Sequence, residues 1–458
     1  MSDNTPTRTA ATVHLTSLHA SLRDPTLDSM NLLNEIAQRY PDALSFAAGR
    51  PHEGEFAVDD VHRYLRAYCR HLRSDRGWSE PEVASALFQY GRTKGIVHDL
   101  VASNLAADEG IHVDPESIVI TVGWQEAVFI TLRALRADER DVVLAVSPTY
   151  VGFTGAARLV DMRVLPVESG ADGIDLEHLA MTTRAAVAAG LRPRALYIVP
   201  DFSNPTGISL DLDKRRQLLS VAADLDLLVL EDNPYGLFSA GSQRLPTLKA
   251  LDTQDRVVYL GTYAKSALPG VRIGYAVAPQ RVLDASGADA GCLADQLSKV
   301  KSMVTVNTPP VAQAVLAGML LENGGTLVKA NAERIEIYRR NLRLVLDGLE
   351  QRFPPGKDGH GVTWNVPGGG FFLVATVPFV ADDAMLEHSA RRHAVLWTPM
   401  HHFYQGIRST RKIRLSYSSL EPDQIERGLD RIADLVHEQA ECAIATTGIE
   451  TTGAASLH

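Results

Sequence analysis

The chain has 458 residues, 45% of them hydrophobic and 22% charged, with 45 Lys+Arg against 55 Asp+Glu and a formal net charge of −10. That balance fits a soluble globular protein of two or three lobes. Without a Lys/Arg cluster it speaks against a nucleic-acid partner or an anionic membrane surface.

Residues 1–18 are polar, lack an apolar core of the signal-peptide kind and are expected to form a disordered leader. No stretch is apolar for long enough to span a bilayer. Cys69, Cys292 and Cys442 are scattered without C-x-x-C spacing, which argues for a reducing cytoplasm, no zinc site and no metal. Residues 19–60 are expected to pack with a smaller C-terminal lobe. Between 61 and 309, short β-rich runs at 117–122, 141–146, 163–167, 194–199, 227–230, 257–260 and 272–277 alternate with amphipathic windows such as 125–135 and 213–225. Strands alternating with helices predict an α/β layer around a mostly parallel seven-stranded sheet. After Thr308-Pro309-Pro310 helical periodicity dominates at 312–321 and 327–349. A strand at 371–377, a helix at 382–392, a strand at 412–417 and a helix at 422–439 then complete an α+β lobe over 310–441. Residues 442–458, small and Thr/Gly-rich, are expected to be a flexible tail.

Ligands of open α/β sheets bind at strand ends, and the ends here carry chemistry. Thr121-Val122-Gly123-Trp124-Gln125 reads as strand, glycine turn and helix start, whose free N–H groups suit a phosphate; an ordinary strand-to-helix turn has the same pattern. Tyr150, after Ser147-Pro148-Thr149, can stack on a flat heterocycle or simply pack in the core. The turn Asn204-Pro205-Thr206-Gly207 presents an amide suited to a phenolate oxygen. Leu228-Val229-Leu230-Glu231-Asp232 ends in carboxylates, with Tyr235 three residues on; a carboxylate can keep a pyridine nitrogen protonated, but can equally cap a helix. Last, Gly261-Thr262-Tyr263-Ala264-Lys265 delivers a lysine from a strand end, with Arg272 downstream. A desolvated lysine forms Schiff bases with carbonyls, and an arginine suits a phosphate dianion. Aldehyde plus phosphate describes pyridoxal 5'-phosphate (PLP).

With five such features in order, the chain resembles the fold-type I PLP-dependent aminotransferases of class I/II, above all the kynurenine/2-aminoadipate aminotransferase group, from about residue 45 to 437. The resemblance implies that Lys265 binds the cofactor as an imine and shuttles the substrate Cα proton. It implies that Asp232 pairs with the pyridinium nitrogen, that Asn204 and Tyr235 bond the ring oxygen, and that Tyr150 covers a ring face. Gly123, Trp124, Gln125, Thr262 and Arg272 are then the phosphate site. Tyr90, in Gln89-Tyr90-Gly91-Arg92, resembles a tyrosine that reaches the phosphate from a partner subunit, so a homodimer is implied. Arg414 matches the arginine that grips the substrate carboxylate, a role its guanidinium fork suits. Gly49 lines the substrate entrance.

Two positions depart from the family pattern. Ala264 stands where relatives carry a serine, with Thr262 able to compensate in part. Met400 follows Pro399 where relatives have glycine, and a methionine resists positive φ. His401 and His402 follow in this loop, near substrate or solvated. Arg50, Tyr90, Trp124, Trp397 and Met400 suggest a pocket for an aromatic or guanidino side chain. The patterns Leu27-Asp28-Ser29-Met30-Asn31-Leu32-Leu33 and Phe46-Ala47-Ala48-Gly49-Arg50-Pro51 look like aminotransferases of specialised metabolism that make arylglycines, such as dihydroxyphenylglycine, or enduracididine. The expected activity is ping-pong transfer of an amino group between an amino acid and a 2-oxo acid in the cytoplasm. The fold also supports decarboxylation, elimination or cyclisation, and serves as a PLP-binding sensor domain in MocR-type regulators.

Overall fold

The computed structural model describes residues 11–453 except 55–56, 242–243, 357–358 and 407–409. A short parallel strand β1 (Leu44–Ser45) is followed by β2 (Ile118–Val122), β3 (Asp141–Val146) and β4 (Arg163–Val167). A small hairpin, β5 (Ser169–Gly170) and β6 (Gly173–Ile174), precedes β7 (Arg192–Ile198), β8 (Leu228–Asp232), β9 (Val257–Thr262) and β10 (Ile273–Val277). Seven of these form one sheet in the order β2-β10-β9-β8-β7-β3-β4. Strand β10 runs antiparallel to both neighbours, and the other pairings are parallel. The sheet is therefore mostly parallel, as its alternating pattern predicts.

Side chains on a strand alternate between faces, and the packing shows it. Val143, Ala145, Leu230 and Val258 pack with helices 123–135, 151–159 and 293–304, whereas Leu144, Val229 and Val257 face helices 176–188 and 212–224. Helices thus cover both faces, which is why the strands read as nearly continuous apolar runs.

Four helices lie N-terminal to the sheet: α1 (Pro25–Arg39), α2 (Val58–Ser74), α3 (Glu80–Phe88) and α4 (His98–Glu109). The helix Pro310–Glu322 packs with the last three against sheet residues Ile118, Ile120 and Tyr275. Expected at the head of the smaller lobe, it instead belongs to the large layer. It is buried along most of its length, so periodicity identifies a helix without saying which lobe owns it.

The smaller lobe centres on a four-stranded antiparallel sheet in which Phe372–Ala381 and Thr410–Ser416 pair, flanked by Thr363–Trp364 and Thr398–Pro399. Helices Ala332–Arg352 and Pro422–Gly453 cover it. β1 pairs in parallel with Val395–Leu396, and Phe46 and Ala47 enter this core. Helix α1 reaches back to helix 151–159 of the large layer.

The expected ends of the chain need correction. Residues 1–10 of the leader lie outside the described residues, but Leu15–Ser17 forms a 3-10 turn closed by the Ser17 hydroxyl donating to the His14 carbonyl at 2.6 Å. The last helix continues to Gly453, into the stretch expected to be a flexible tail; no proline interrupts Ala440–Gly453, and alanines favour helix there. Residues 454–458 lie outside the described residues. The window 382–392 divides into Asp383–His388 and a π-helical turn Ser389–His393. Among the described residues no helix is long and apolar enough to cross a membrane.

Between β7 and helix 212–224, a buried ion pair fixes the loop that carries Asn204. Arg215 is fully buried and its guanidinium donates to both Asp201 carboxylate oxygens, at 3.1 and 2.5 Å, and to the carbonyls of Leu210 and Pro246. Removing one partner strands a buried charge, so Asp201→Ala should cost about 3–5 kcal/mol. A fall in urea midpoint that, multiplied by the m-value, matches this loss is expected, and an unchanged midpoint would remove the pair from any structural role.

Candidate active site

The order β2-β10-β9-β8 decides the site. β10 is antiparallel, so its N-terminal end meets the C-terminal ends of β2, β9 and β8 at one edge. Gly123 and Trp124, Asp232, Thr262 and Lys265, and Arg272 all issue from that edge. They surround one cavity together with Gln125, Tyr150, Asn204, Tyr235, Gly49, Arg50 and Arg414. Of the residues assigned to cofactor or substrate in the sequence, Gly123 lies directly behind this wall, and Tyr90 is elsewhere, 85% exposed.

The floor is Asp232. One carboxylate oxygen accepts from the Tyr197 hydroxyl at 2.7 Å; the other, Oδ1, has no hydrogen-bond partner among the described residues. Burial pushes its pKa up to about 7, against the opposing pull of the Tyr197 hydrogen bond and the Lys265 charge. A buried carboxylate with one bare oxygen calls for a cationic donor. Lys265 answers from the same edge: burial, then the charges of Arg414 and Arg272, lower it to about 8, while Asp232 pulls the other way. Its Nζ donates to the Gly49 carbonyl at 2.8 Å.

The anion end is built on close approach. Gly123 has φ +74, and a Cβ there would collide with the Arg272 guanidinium. A Cβ on Gly274 would strike the Gly123–Trp124 backbone. Arg272 itself adopts φ 56, a left-handed conformation rare outside glycine and held here between a 3-10 turn and β10. The Ala264 N–H donates to Thr262 Oγ1 at 3.1 Å, which leaves the threonine hydroxyl proton free. Guanidinium, hydroxyl and the N-terminus of helix 123–135 make a ready site for a phosphate dianion.

Arg414 closes the opposite wall. It donates to Asn204 Oδ1 at 2.5 Å, to the Ala47 carbonyl at 2.8 Å and to Thr398 Oγ1 at 3.2 Å, and its Nε has no partner among the described residues. Its guanidinium carbon lies 4.3 Å from the Phe372 ring centroid and 5.0 Å from that of Phe403. Burial lowers its pKa to about 10, so it stays charged at neutral pH. Tyr150 and Trp124 rings meet at 5.6 Å; burial, then the Asp232 charge, raises the Tyr150 phenol to about 12. Burial also raises Tyr235, whose hydroxyl is hydrogen-bonded to Asn204.

Three sequence expectations fail here. Trp397 is fully buried in the smaller lobe, donating to Ser389 Oγ at 3.1 Å, and does not line the cavity. Met400 packs behind it with Val151 and Phe403 rather than on it, and sits in a 3-10 turn without positive φ, so the missing glycine imposes no strain. His401 and His402 face Asp383 instead of the cavity. Conversely Tyr197, Met30, Phe372 and Phe403 are not anticipated by the sequence reading. Tyr197 has one signal, a tyrosine within an apolar strand beside β8; the other three come from segments with no local motif.

A family model, aminotransferase class I and II, matches residues 81–432. The chain belongs to this family. It is 55% identical over 420 residues, 92% of this chain and 94% of the other, to an (S)-3,5-dihydroxyphenylglycine transaminase of Amycolatopsis orientalis. Among solved structures it resembles Pyrococcus horikoshii kynurenine aminotransferase, a complex with PMP (TM-score 0.74, 26% identity, 89% of this chain and 94% of that one). It also resembles an alpha-aminoadipate aminotransferase of Thermus thermophilus complexed with N-(5'-phosphopyridoxyl)-L-leucine (TM-score 0.71, 27% identity, 91% and 98%). The architecture is that of fold-type I PLP aminotransferases.

Only the neutral amine of Lys265 attacks an aldehyde. With its pKa lowered to about 8, the rate at which cofactor-free protein takes up added PLP should rise about tenfold per pH unit below about 8 and level above it. Stopped-flow absorbance over pH 6–10 measures this; a rise continuing to the ordinary lysine range would deny the site its low-pKa amine.

Proposed function

We propose that this aminotransferase exchanges an amino group between an arylglycine of the 3,5-dihydroxyphenylglycine type and a 2-oxo acid, using PLP. The enzyme class follows from the family, and the cofactor agrees with the cavity. The observation that carries the substrate is the 55% identity, along nearly the whole of both chains, to a transaminase of that amino acid. The cavity supports it: beside the polar edge lie Met30, Val151, Phe372 and Phe403, apolar or aromatic, with the Arg50 cation at the entrance.

When bound, PLP supplies an electron sink for charge developing at the substrate Cα. The chain's own residues divide the remaining work. Asp232, its Oδ1 left bare, would accept from the ring nitrogen and, as an anion, keep it protonated. Tyr197 holds the other oxygen. Thr262, Arg272 and the backbone N–H groups after Gly123 would anchor the phosphate, and Asn204 and Tyr235 would bond the phenolic oxygen. Arg414, braced by Asn204, Ala47 and Thr398, binds the substrate carboxylate. The Lys265 amine would act as the acid–base group that carries the substrate Cα proton, a positioned transfer worth roughly 10²–10⁴-fold. The rings around Arg414 exclude water and strengthen its hold on the carboxylate.

Tyr90, remote from its own cavity, completes the phosphate site of a second subunit in this reading, so the working form is a homodimer.

Three measurements test the proposal. Given (S)-3,5-dihydroxyphenylglycine alone, the enzyme should convert its visible absorbance to that of the amine form of the cofactor, faster than with aspartate or leucine. Preference for either common donor would refute the substrate. Lys265→Ala should lose both the absorbance near the visible edge and nearly all turnover; near-normal activity would refute the assignment of the lysine. Tyr90→Ala should leave a dimer by sedimentation but weaken PLP binding about tenfold, roughly 1.4 kcal/mol. A monomeric wild type, or unchanged affinity, would remove Tyr90 from the site.

A further inference from the structure

We propose that Asp383, His401 and His402 form a binding site for a divalent transition-metal cation such as Zn²⁺, outside the cofactor cavity. Asp383 begins the helix Asp383–His388, and the two histidines lie on the 3-10 turn Met400–Phe403. Their side chains offer one ligand atom each, all three within 4.8 Å of one another. Both Nε2 atoms converge on the same carboxylate oxygen: that of His402 at 2.7 Å and that of His401 at 3.7 Å from Asp383 Oδ1. The rings lie side by side, tilted by 36° with centroids 4.1 Å apart.

Hydrogen bonding selects the tautomer. The Ser29 hydroxyl donates to the Pro25 carbonyl at 3.0 Å, so its oxygen is left to accept from His402 Nδ1 at 2.8 Å. With Nδ1 so engaged, Nε2 is the nitrogen directed at Asp383 Oδ1, at 2.7 Å, the position from which it would share an ion with the carboxylate. His401 adds a second imidazole, mostly buried, whose Nε2 is turned to the same carboxylate oxygen. The Ser29 contact is the outer hydrogen bond by which a ligating histidine is ordinarily held in orientation.

Zinc bonds of about 2.0–2.2 Å place tetrahedral ligand atoms roughly 3.4 Å apart. Against that separation the 2.7 Å contact to His402 must open by about 0.7 Å and the 3.7 Å contact to His401 close by about 0.3 Å, adjustments the Asp383 side chain, 52% exposed, is free to supply. Two imidazoles and one carboxylate favour Zn²⁺, Co²⁺ or Ni²⁺ over Mg²⁺ or Ca²⁺. A cavity of about 780 Å³, lined also by Asp28 and Gln405, borders the three residues and gives room for water at the fourth position. The cluster His388, His393 and Glu438 makes the contrast: each imidazole faces its own carboxylate oxygen, at 3.1 and 2.6 Å, as a complete pair. The cysteine spacing that argues against a zinc site speaks only of thiolate ligands.

The test is calorimetric titration of untagged, PLP-loaded full-length enzyme with Zn²⁺, alongside thermal melts. One Zn²⁺ per chain is expected, with a rise in Tm. Asp383→Asn and His401→Gln should each weaken binding at least about tenfold and abolish the rise, whereas His393→Ala should keep both. His401→Gln leaves the contacts of His402 to Ser29 and Asp383 in place, so it reports on the metal even where Asp383→Asn misfolds. Equal Zn²⁺ binding by His401→Gln and wild type, loss of binding in His393→Ala, or no binding by wild type would each overturn the proposal and leave a histidine–aspartate ion pair.

Discussion

A carboxylate held out of water at the end of β8, with one oxygen fixed by Tyr197 and the other bare, is the constraint around which the active site is organised. Such a group is unfavourable in the folded chain, and its raised pKa expresses that cost. Burial works on Lys265 in the opposite sense, lowering a cation where Asp232 raises an anion. Each is the main favourable charge near the other, and each is also short of what it needs. In the proposed reading, a ligand carrying a ring cation for one and an aldehyde for the other resolves both. The two cations that repel Lys265, Arg414 and Arg272, serve the substrate carboxylate and the phosphate in the proposed reading.

Topology converts this constraint into a site. A wholly parallel sheet would put the start of β10 at the far edge, away from Asp232. Because β10 is reversed, Arg272 enters at the same edge as Gly123 and Lys265, and its antiparallel pairing with β2 sets Gly274 against the Gly123–Trp124 backbone. The arginine accepts a left-handed backbone at that junction. Glycine at two neighbouring positions is thus a packing requirement, since a methyl group at either would displace the guanidinium or the turn.

The polar edge is legible in the sequence because its residues stand at or close to the ends of β-rich runs, Arg272 just before one and the others at or after one. Asn204, Asp232, Lys265 and Arg272 carry that local grammar, and strand ends in α/β sheets are where ligands bind. The seven strands are likewise legible from apolar, β-branched runs. What escapes depends on contacts between distant segments. Met30 and Phe403 reach the cavity from α1 and from the 400–403 turn, with no motif to announce them. Trp397 reads as a pocket aromatic, but it joins the short strands Val395–Leu396 and Thr398–Pro399 and packs into the core of the smaller lobe. Met400 reads as strained because the family pattern has glycine there, and a 3-10 turn removes the need for positive φ. Helix 310–322 is legible as a helix but not by its lobe, since a helix buried along most of its length has no polar stripe to point outward.

The walls nearest the substrate side chain do not belong to the sheet. Met30 rides on an N-terminal helix, Arg50 on a connecting segment and Phe403 on a turn in the smaller lobe. In the proposed reading, these three places lie outside the strands that pair in the sheet and outside the anion cradle. Divergence toward new amino acids can therefore proceed through peripheral, tolerant parts of the chain while the chemical engine is inherited unchanged.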